Sequence, residues 1–499
     1  MKKKILFWLG SDLTHFCIAY YLQKMYDCEL YAIIDITDKP KKFFLDQKLV
    51  NFTKIWFFHD NIKLSNSPDI DYLSSFEKKY NISIWKLAIN ERIFYRFYNF
   101  HKYSENEILS IDESACKLFE NILNEIKPDF VLTKEPAFHH LEIFYQLSKA
   151  KEAKVLVLSQ PKIGYKCRIS DDPNVIDQID ELNKVNISGR GFQKMRDYRN
   201  SLNVSKQIKT SVEKHANSKS ELFKAASDFL FKSENKIEKT HYNYFGRTKW
   251  NVLFYMLKMS FKKKFREKFI EKNLILEPNF SENFVYFPLG VDLERNILIG
   301  APFFTNQTEV IRHIAKSLPV GYKLFVKENP AQSTREWRSI SEYEEIMKIP
   351  NVSLIHPKTS NEKLLEHCSL VITIAGSSGF EAAFYEKPSI VFSDVVYSIL
   401  PSVYRVIEIE KLPELIQTCL LEKVIAKDLD KYLTFLEKIT FDFDLFEFQT
   451  KYLDHFYFGG HLVNTEISDS QMKEFLDENK IQIEKLTTEH IKKLNDLNN

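Results

Sequence analysis

The run LVITIAGSSGFEAAFYEKPSIVF (370–392) holds the residues best suited to chemistry. An apolar stretch leads into Gly376-Ser377-Ser378-Gly379, and a helical pattern begins at once. Helix N-termini expose unpaired backbone N–H groups with positive dipole character. Hydroxyls and small residues there let a phosphate come close. Glu381, one turn on, can accept hydrogen bonds from a ribose or sugar hydroxyl. The same residues also have a structural reading, with Ser377 as an N-cap and Gly379 as a packing residue. A second group lies in YKLFVKENPAQ (322–332), where a strand delivers Lys327 and Glu328 to its carboxyl end and Pro330 turns the chain. A third, NVSLIHPKTS (351–360), places His356 and Pro357 at another strand end. A lone histidine is more often structural than catalytic.

These residues need a scaffold that brings strand ends together. The first third alternates apolar runs with helical patterns: KKILFWLG, THFCIAYYLQKMY, ELYAIIDI, then ACKLFENILNEIKPD, DFVLTKE, HHLEIFYQLSKAKEA and KVLVLSQ. Such alternation predicts a parallel sheet covered by helices. Open α/β sheets bind ligands at the carboxyl ends of their strands. A second alternation runs from FVYFPLG through YKLFVKENP, NVSLIHP and LVITIAG to SIVFSD. The predicted fold class is α/β, with two Rossmann-like domains facing a cleft and additional helical segments. The predicted domains are 1–275, with a polar helical insertion at about 180–275, then 276–430, then a helical segment 431–499. Ligand pockets commonly sit at domain interfaces, so the active site is expected in the cleft.

Composition excludes several classes. Lys plus Arg total 70 and Asp plus Glu 68, a formal net charge of +2. That balance argues against a dedicated nucleic-acid binder and against an acidic disordered chain. Only 12 glycines occur, which leaves little room for glycine-rich phosphate loops. The six cysteines form no CxxC pair and read as reduced, buried thiols. The apolar run after Met1 is too short for a signal peptide and is broken by Ser11, Asp12 and His15. No stretch approaches the ~18 apolar residues of a membrane span. The expected location is cytoplasmic, with a peripheral position at the inner membrane face as the variant.

Two runs, VYFPLGVDLERNILIGAPFFTNQTEVIRHIAKSLPVGYKLFVKENP (285–330) and NVSLIHPKTSNEKLLEHCSLVITIAGSSGFEAAFYEKPSIVF (351–392), carry a resemblance. The chain resembles the capsule polysaccharide biosynthesis glycosyltransferases, including Kdo transferases, and more distantly bacterial CMP-sugar sialyltransferases. The resemblance implies a glycosyltransferase-B fold whose C-terminal domain holds a nucleotide-sugar donor, with CMP-linked Kdo or sialic acid favoured. It implies a Ser/Thr pair on the donor phosphate, matched by Ser377 and Ser378, and a Lys-Glu-His-Pro motif, matched by Lys327, Glu328 and Pro330. Asn329 replaces that motif's histidine, so either Asn329 suffices, His356 serves instead, or turnover is slow or absent. The alternatives are a nucleotide-sugar epimerase and a non-catalytic capsule-assembly protein of the same fold.

The expected reaction is transfer to a glycan acceptor, with a lipid-linked glycan as the variant, and no cofactor beyond the nucleotide-sugar. The acceptor's base must be a carboxylate or imidazole at a strand end of the first domain. The candidates are Asp12 and His15 after the first strand, and Glu135, His139 and His140 after FVLTKE, with Asp35 a weaker one. Asp12 also reads as a helix cap. Asp442-Phe443-Asp444 has a metal-binding spacing but lies outside both strand–helix units, so metal-independent transfer is expected. In the basic stretch 257–274, Phe261, Phe265 and Phe269 share one helix face. The favoured reading is an ordinary helix with a solvated basic face and a buried Phe stripe; the other is contact with anionic lipid.

Overall fold

A computed structural model describes residues 2–161, 163–176, 178–202, 219–232, 241–334 and 337–497. Residues 203–218 and 233–240 of the expected helical insertion lie outside the described residues. The chain divides into two compact units. Unit 1 comprises Met1–Pro173, Val204–Val252 and Thr440–Asn499, and unit 2 comprises Asn174–Asn203 and Leu253–Ile439.

Unit 1 is built on the strands β1 (Lys3–Gly10), β2 (Cys28–Asp35), β3 (Phe52–Phe57), β4 (Phe130–Lys134), β5 (Lys154–Ser159) and β6 (Lys166–Ser170). The order is β6-β5-β4-β1-β2-β3, with the two-residue strand Phe441–Asp442 beyond β6. Strands β1 to β5 are parallel, whereas β6 and Phe441–Asp442 run antiparallel to their neighbours. β1 is central and buried from Ile5 to Gly10, which is why its sequence is a continuous apolar run. Its start is fixed by Asp129, which accepts from the Lys4 amide at 2.9 Å and from the Lys3 ammonium at 3.2 Å. One face packs Trp8, Phe58, Phe119 and Phe144. The other packs Phe16 and Phe43 with Tyr452, Phe475 and Leu486 from the C-terminal helices.

Unit 2 holds β7 (Phe284–Pro288), β8 (Lys323–Lys327), β9 (Val352–Ile355), β10 (Leu370–Thr373), β11 (Ser389–Val391) and β12 (Val403–Arg405). The order is β12-β11-β10-β7-β8-β9, and every pairing is parallel. Successive strands leave β7 first toward β9 and then toward β12. The order therefore reverses at β7/β10 in unit 2 and at β1/β4 in unit 1. Each reversal is a topological switch point, where diverging connections open a crevice at the carboxyl ends.

The grouping differs from the sequence-based boundaries. Residues 440–499 are not a separate segment: their helices complete the core of unit 1, and the Tyr21 hydroxyl donates to the Leu476 carbonyl at 3.0 Å. The insertion at about 180–275 is divided between the units rather than attached whole to the first. The buried Phe stripe is also corrected. Phe261 and Phe265, on the helix Lys249–Asn273, are 65% and 68% exposed, and only Phe269 packs on the core.

Candidate functional site

In unit 2, Lys327 ends β8 and is 6% exposed. Its ammonium reaches Asn361 Oδ1 at 3.4 Å, and the Tyr286 hydroxyl donates to the same oxygen at 2.5 Å. No carboxylate among the described residues pairs with it. Burial pushes its ammonium down to about 8, while Glu381 pulls it up. A cation out of water without a counter-ion costs several kcal/mol, on the order of the penalties for buried ions. An arriving anion would remove that cost.

The loop after β10 leaves the same sheet on the other side of β7, and its Glu381 acts electrostatically on Lys327. Gly376 N–H donates to Thr373 Oγ1 at 3.1 Å, and the Tyr397 hydroxyl donates to the Gly376 carbonyl. A Cβ on Gly376 would stand 2.7 Å from Thr373 Oγ1, and one on Gly379 would stand 2.7 Å from Tyr397 Oη. Both glycines are therefore needed for close packing. Ser377 is not a side-chain N-cap; its hydroxyl donates to Glu381 Oε1 at 3.0 Å. Arg199 donates to Glu381 Oε2 at 2.7 Å. Both oxygens of Glu381 are thus engaged by protein. The half-buried Ser378 makes no side-chain hydrogen bond among the described residues, so its hydroxyl is the one left for a ligand. The helix it opens, Ser378–Phe384, spans seven residues.

Glu328 is corrected from a catalytic to a positioning residue. It is fully buried and accepts from Arg338 Nε at 3.1 Å, from the Tyr343 hydroxyl at 2.7 Å and from the Asn329 amide at 2.7 Å. Arg338 also donates to Asp292 at 2.5 Å and to the Gly290 carbonyl at 2.6 Å. Gln307 closes the network through Asp292 at 2.6 Å and Gly290. This network ties the chain leaving β8 to the chain leaving β7. Asn329 spends its side-chain oxygen on the Ala331 amide at 3.0 Å, a local turn that leads into Pro330. His356 follows the edge strand β9: its Nδ1 accepts from the Lys358 amide at 3.1 Å, and its Nε2 makes no hydrogen bond among the described residues and lies 3.5 Å from Glu271. It directly follows Ile355, the register partner of Lys327 on β9, and no contact between its ring and Lys327 is seen among the described residues.

In unit 1, a cavity of about 330 Å³ is lined by Ser11, Asp35, His59, Glu91, Phe138, His139 and His140. Asp35 stands at the end of β2. His59 Nε2 lies 2.9 Å from Asp35 Oδ1, and His140 Nε2 lies 3.1 Å from Oδ2. Burial alone would push this carboxyl up, but the two imidazoles, His140 foremost, hold it well below the usual carboxylate range. The His140 ring stacks on Phe58 at 4.6 Å and lies parallel to Phe138 at 5.8 Å.

His139 turns away from that pair. Its Nδ1 bonds Glu91 at 3.0 Å and its Nε2 lies 3.1 Å from Asp112. Burial opposes the charge, yet the Asp112 and Glu91 carboxylates raise this imidazole to about 9. His139 is an imidazolium at neutral pH and cannot take a proton there, so the base role expected of it is corrected to a structural one. Asp12 and His15 are corrected too. Asp12 Oδ1 accepts from the Thr14 amide at 3.0 Å, the capping role. His15 is 2% exposed, pushed down to about 3 by burial, and meets the His490 ring edge-on at 6.5 Å. Glu135 is half-buried, makes no bond among the described residues and does not line the cavity. Asp442 pairs with Lys166 at 2.9 Å and Asp444 caps the helix Leu445–Phe456, so their spacing is structural. Among the described residues, no three His, Cys, Asp or Glu side chains are grouped to hold a metal ion.

Of the expected residues, Lys327 and Glu381 share one electrostatic neighbourhood, and His140 joins Asp35. Sequence reasoning missed His59, Glu91, Asp112, Arg199, Asn361 and Arg338. His59 lies two residues past the end of β3 (Phe57), a strand-end signal like the one that marked Asp35. The others lie far along the chain from their partners and carry no local signal.

Residues 192–401 match the family model described as capsule polysaccharide biosynthesis protein. No curated protein matches the chain. Among solved structures, the UDP-GlcNAc 2-epimerase of Methanocaldococcus jannaschii is 11% identical, with 87% of this chain and 99% of that one covered and a TM-score of 0.26. KpsC of Thermosulfurimonas dismutans, a beta Kdo 2,7 transferase, is 12% identical over 71% and 97% of the two chains, with a TM-score of 0.27. The N-terminal domain of Candida albicans trehalose-6-phosphate phosphatase is 12% identical over 88% and 93%, with a TM-score of 0.29. At scores this low, none of the three bears on this chain's reaction. Over residues 192–401, the chain is similar to the capsule polysaccharide biosynthesis family.

Proposed function

We propose that this protein is a glycosyltransferase of capsule polysaccharide biosynthesis that uses a nucleotide-sugar donor. The observation that carries the reading is Lys327, a buried ammonium without a carboxylate partner at the carboxyl end of a parallel strand next to the β7/β10 switch point. The family match supports the same reading. Lys327 and the Ser378 hydroxyl bind the donor's phosphate, and Glu328 and Arg338 hold the strand ends that present it. The acceptor side is assigned to unit 1, where Asp35 holds His59 and His140 through their Nε2 atoms, and the His140 imidazole, kept neutral by burial, takes the proton of the attacking hydroxyl. The hydroxyl oxygen forms the new bond to the anomeric carbon as the bond from that carbon to the phosphate oxygen breaks. The nucleotide leaves with the electron pair, and Lys327 neutralises the charge that develops on it. The donor favoured is a CMP-linked acidic sugar of the Kdo or sialic acid type.

The test is release of nucleotide from CMP-Kdo, CMP-sialic acid and a UDP-sugar, each with and without a capsule-type oligosaccharide. Acceptor-dependent release with a lengthened glycan is expected. Release that ignores the acceptor would mean an epimerase-like or hydrolytic reaction. Absence of release with every pair would mean a non-catalytic protein.

A further inference from the structure

The helix Lys249–Asn273 carries two apolar faces. One packs inward through Ile270, with Phe269 against the core of unit 2. Along the other run Trp250, Phe254, Leu257, Phe261 and Phe265, spaced at three and four residues and so stacked along one side. They are 80%, 70%, 62%, 65% and 68% exposed. Scattered surface apolar groups need no explanation, but a continuous stripe of five large ones does. An aqueous surface leaves all that area hydrated at a cost of about 25 cal/mol per Å².

The charges beside the stripe identify what covers it. Eight Lys and Arg lie on this helix against two Glu. At 100° per residue, Lys258 and Lys262 flank one side of the stripe, Lys264 flanks the other, and Lys268 extends it. None of these four makes an ion pair among the described residues. Aromatic side chains bordered by lysines suit the boundary between headgroups and acyl chains, where rings enter the apolar layer and ammonium groups meet phosphates. No helix among the described residues is long and apolar enough to cross a membrane.

We infer that the helix Lys249–Asn273 lies on an anionic lipid bilayer, with Phe254, Leu257, Phe261 and Phe265 in the acyl boundary and the flanking lysines on lipid phosphates. Such docking suits an enzyme whose acceptor is lipid-linked, yet it rests on the exposed helix alone and not on the assignment of the reaction.

The test is flotation of the full-length protein with vesicles of phosphatidylglycerol and phosphatidylcholine, and with phosphatidylcholine alone. Two variants are compared: Phe254→Ser/Phe261→Ser/Phe265→Ser, and Lys258→Gln/Lys262→Gln/Lys264→Gln/Lys268→Gln. Thermal melting and circular dichroism check that both remain folded. Wild type is expected to float with the anionic vesicles. Each lysine removed lowers partition about fivefold at low salt, and the Ser variant loses flotation even at low salt. Equal recovery of wild type with and without anionic lipid would overturn the inference. So would self-association of wild type that the Ser variant abolishes without any vesicle binding, because a second copy would then cover the stripe.

Discussion

Lys327 has only the Asn361 amide oxygen and no carboxylate, and Ser378 makes no side-chain hydrogen bond among the described residues, whereas Ser377 donates to Glu381. The two serines are neighbours with the same chemistry in sequence, and only the fold distinguishes them. Ser378→Ala is expected to weaken nucleotide binding about tenfold, the scale of a hydrogen bond to a charged group. Ser377→Ala is expected to change it by less, since its loss acts through Glu381; titration calorimetry on both variants checks the order. The sign of the pH effect follows from Lys327. Its ammonium titrates near 8 in the free protein, and only the charged form attracts phosphate. Nucleotide affinity should therefore hold below pH 8 and fall as pH rises through it. Lys327 was legible because a cation at a strand end is a local pattern. The fates of Asp12 and His15 were not, because burial by the C-terminal helices decides them.

At the scale of elements, the strand ends are held by polar pairs from distant parts of the chain. Glu328–Arg338–Asp292–Gln307 joins the ends of β7 and β8 from inside the protein. Glu328→Ala leaves Arg338 with a buried charge half unpaired, which costs about 3–5 kcal/mol. A fall in Tm on the order of 10 °C is expected, whereas a purely catalytic glutamate would lower turnover and leave Tm in place. In unit 1, Asp35→Asn keeps the shape of the cavity but replaces one of the two carboxylate oxygens facing the His59 and His140 imidazoles with an N–H donor and removes the charge. It is expected to lower kcat at least a hundredfold with donor affinity unchanged; equal loss of donor affinity would move Asp35 out of the acceptor role. The long apolar strands β1, β2, β4, β7, β8 and β10 were legible from their periodicity. β3 (FTKIWF), β6 (KCRIS) and β12 (VYR) were not, since edge or near-edge strands mix exposed and buried residues over short runs.

Across the whole molecule, the two Rossmann-type sheets were readable because strand–helix alternation is written locally, twice. The closing of unit 1 by residues 440–499 was not, because a sequence shows an amphipathic helix without showing which sheet it covers. That closure shapes the pH response. His15 and His490 are buried neutral and pushed down to about 3 and 4, so the unfolded chain takes up protons first, and stability falls as pH drops below 6.5. Glu91, held down to about 2 by His139 against burial, adds to that loss below 4.5. His139 acts oppositely: its stabilisation is complete below 6.5 and is lost as pH rises through about 9. Unit 1 should be most stable near neutral pH, and His139→Gln should flatten the fall between 6.5 and 9 in chemical denaturation at stepped pH. The central claim, that Lys327 marks a nucleotide's phosphate site, is tested most directly by thermal shift with CMP, UDP, GDP and ADP on wild type and Lys327→Met at pH 7. Wild type should be stabilised by one of the four, CMP first, and Lys327→Met should need at least about tenfold more of it. Stabilisation by none of the four, or equally of both proteins, would contradict it.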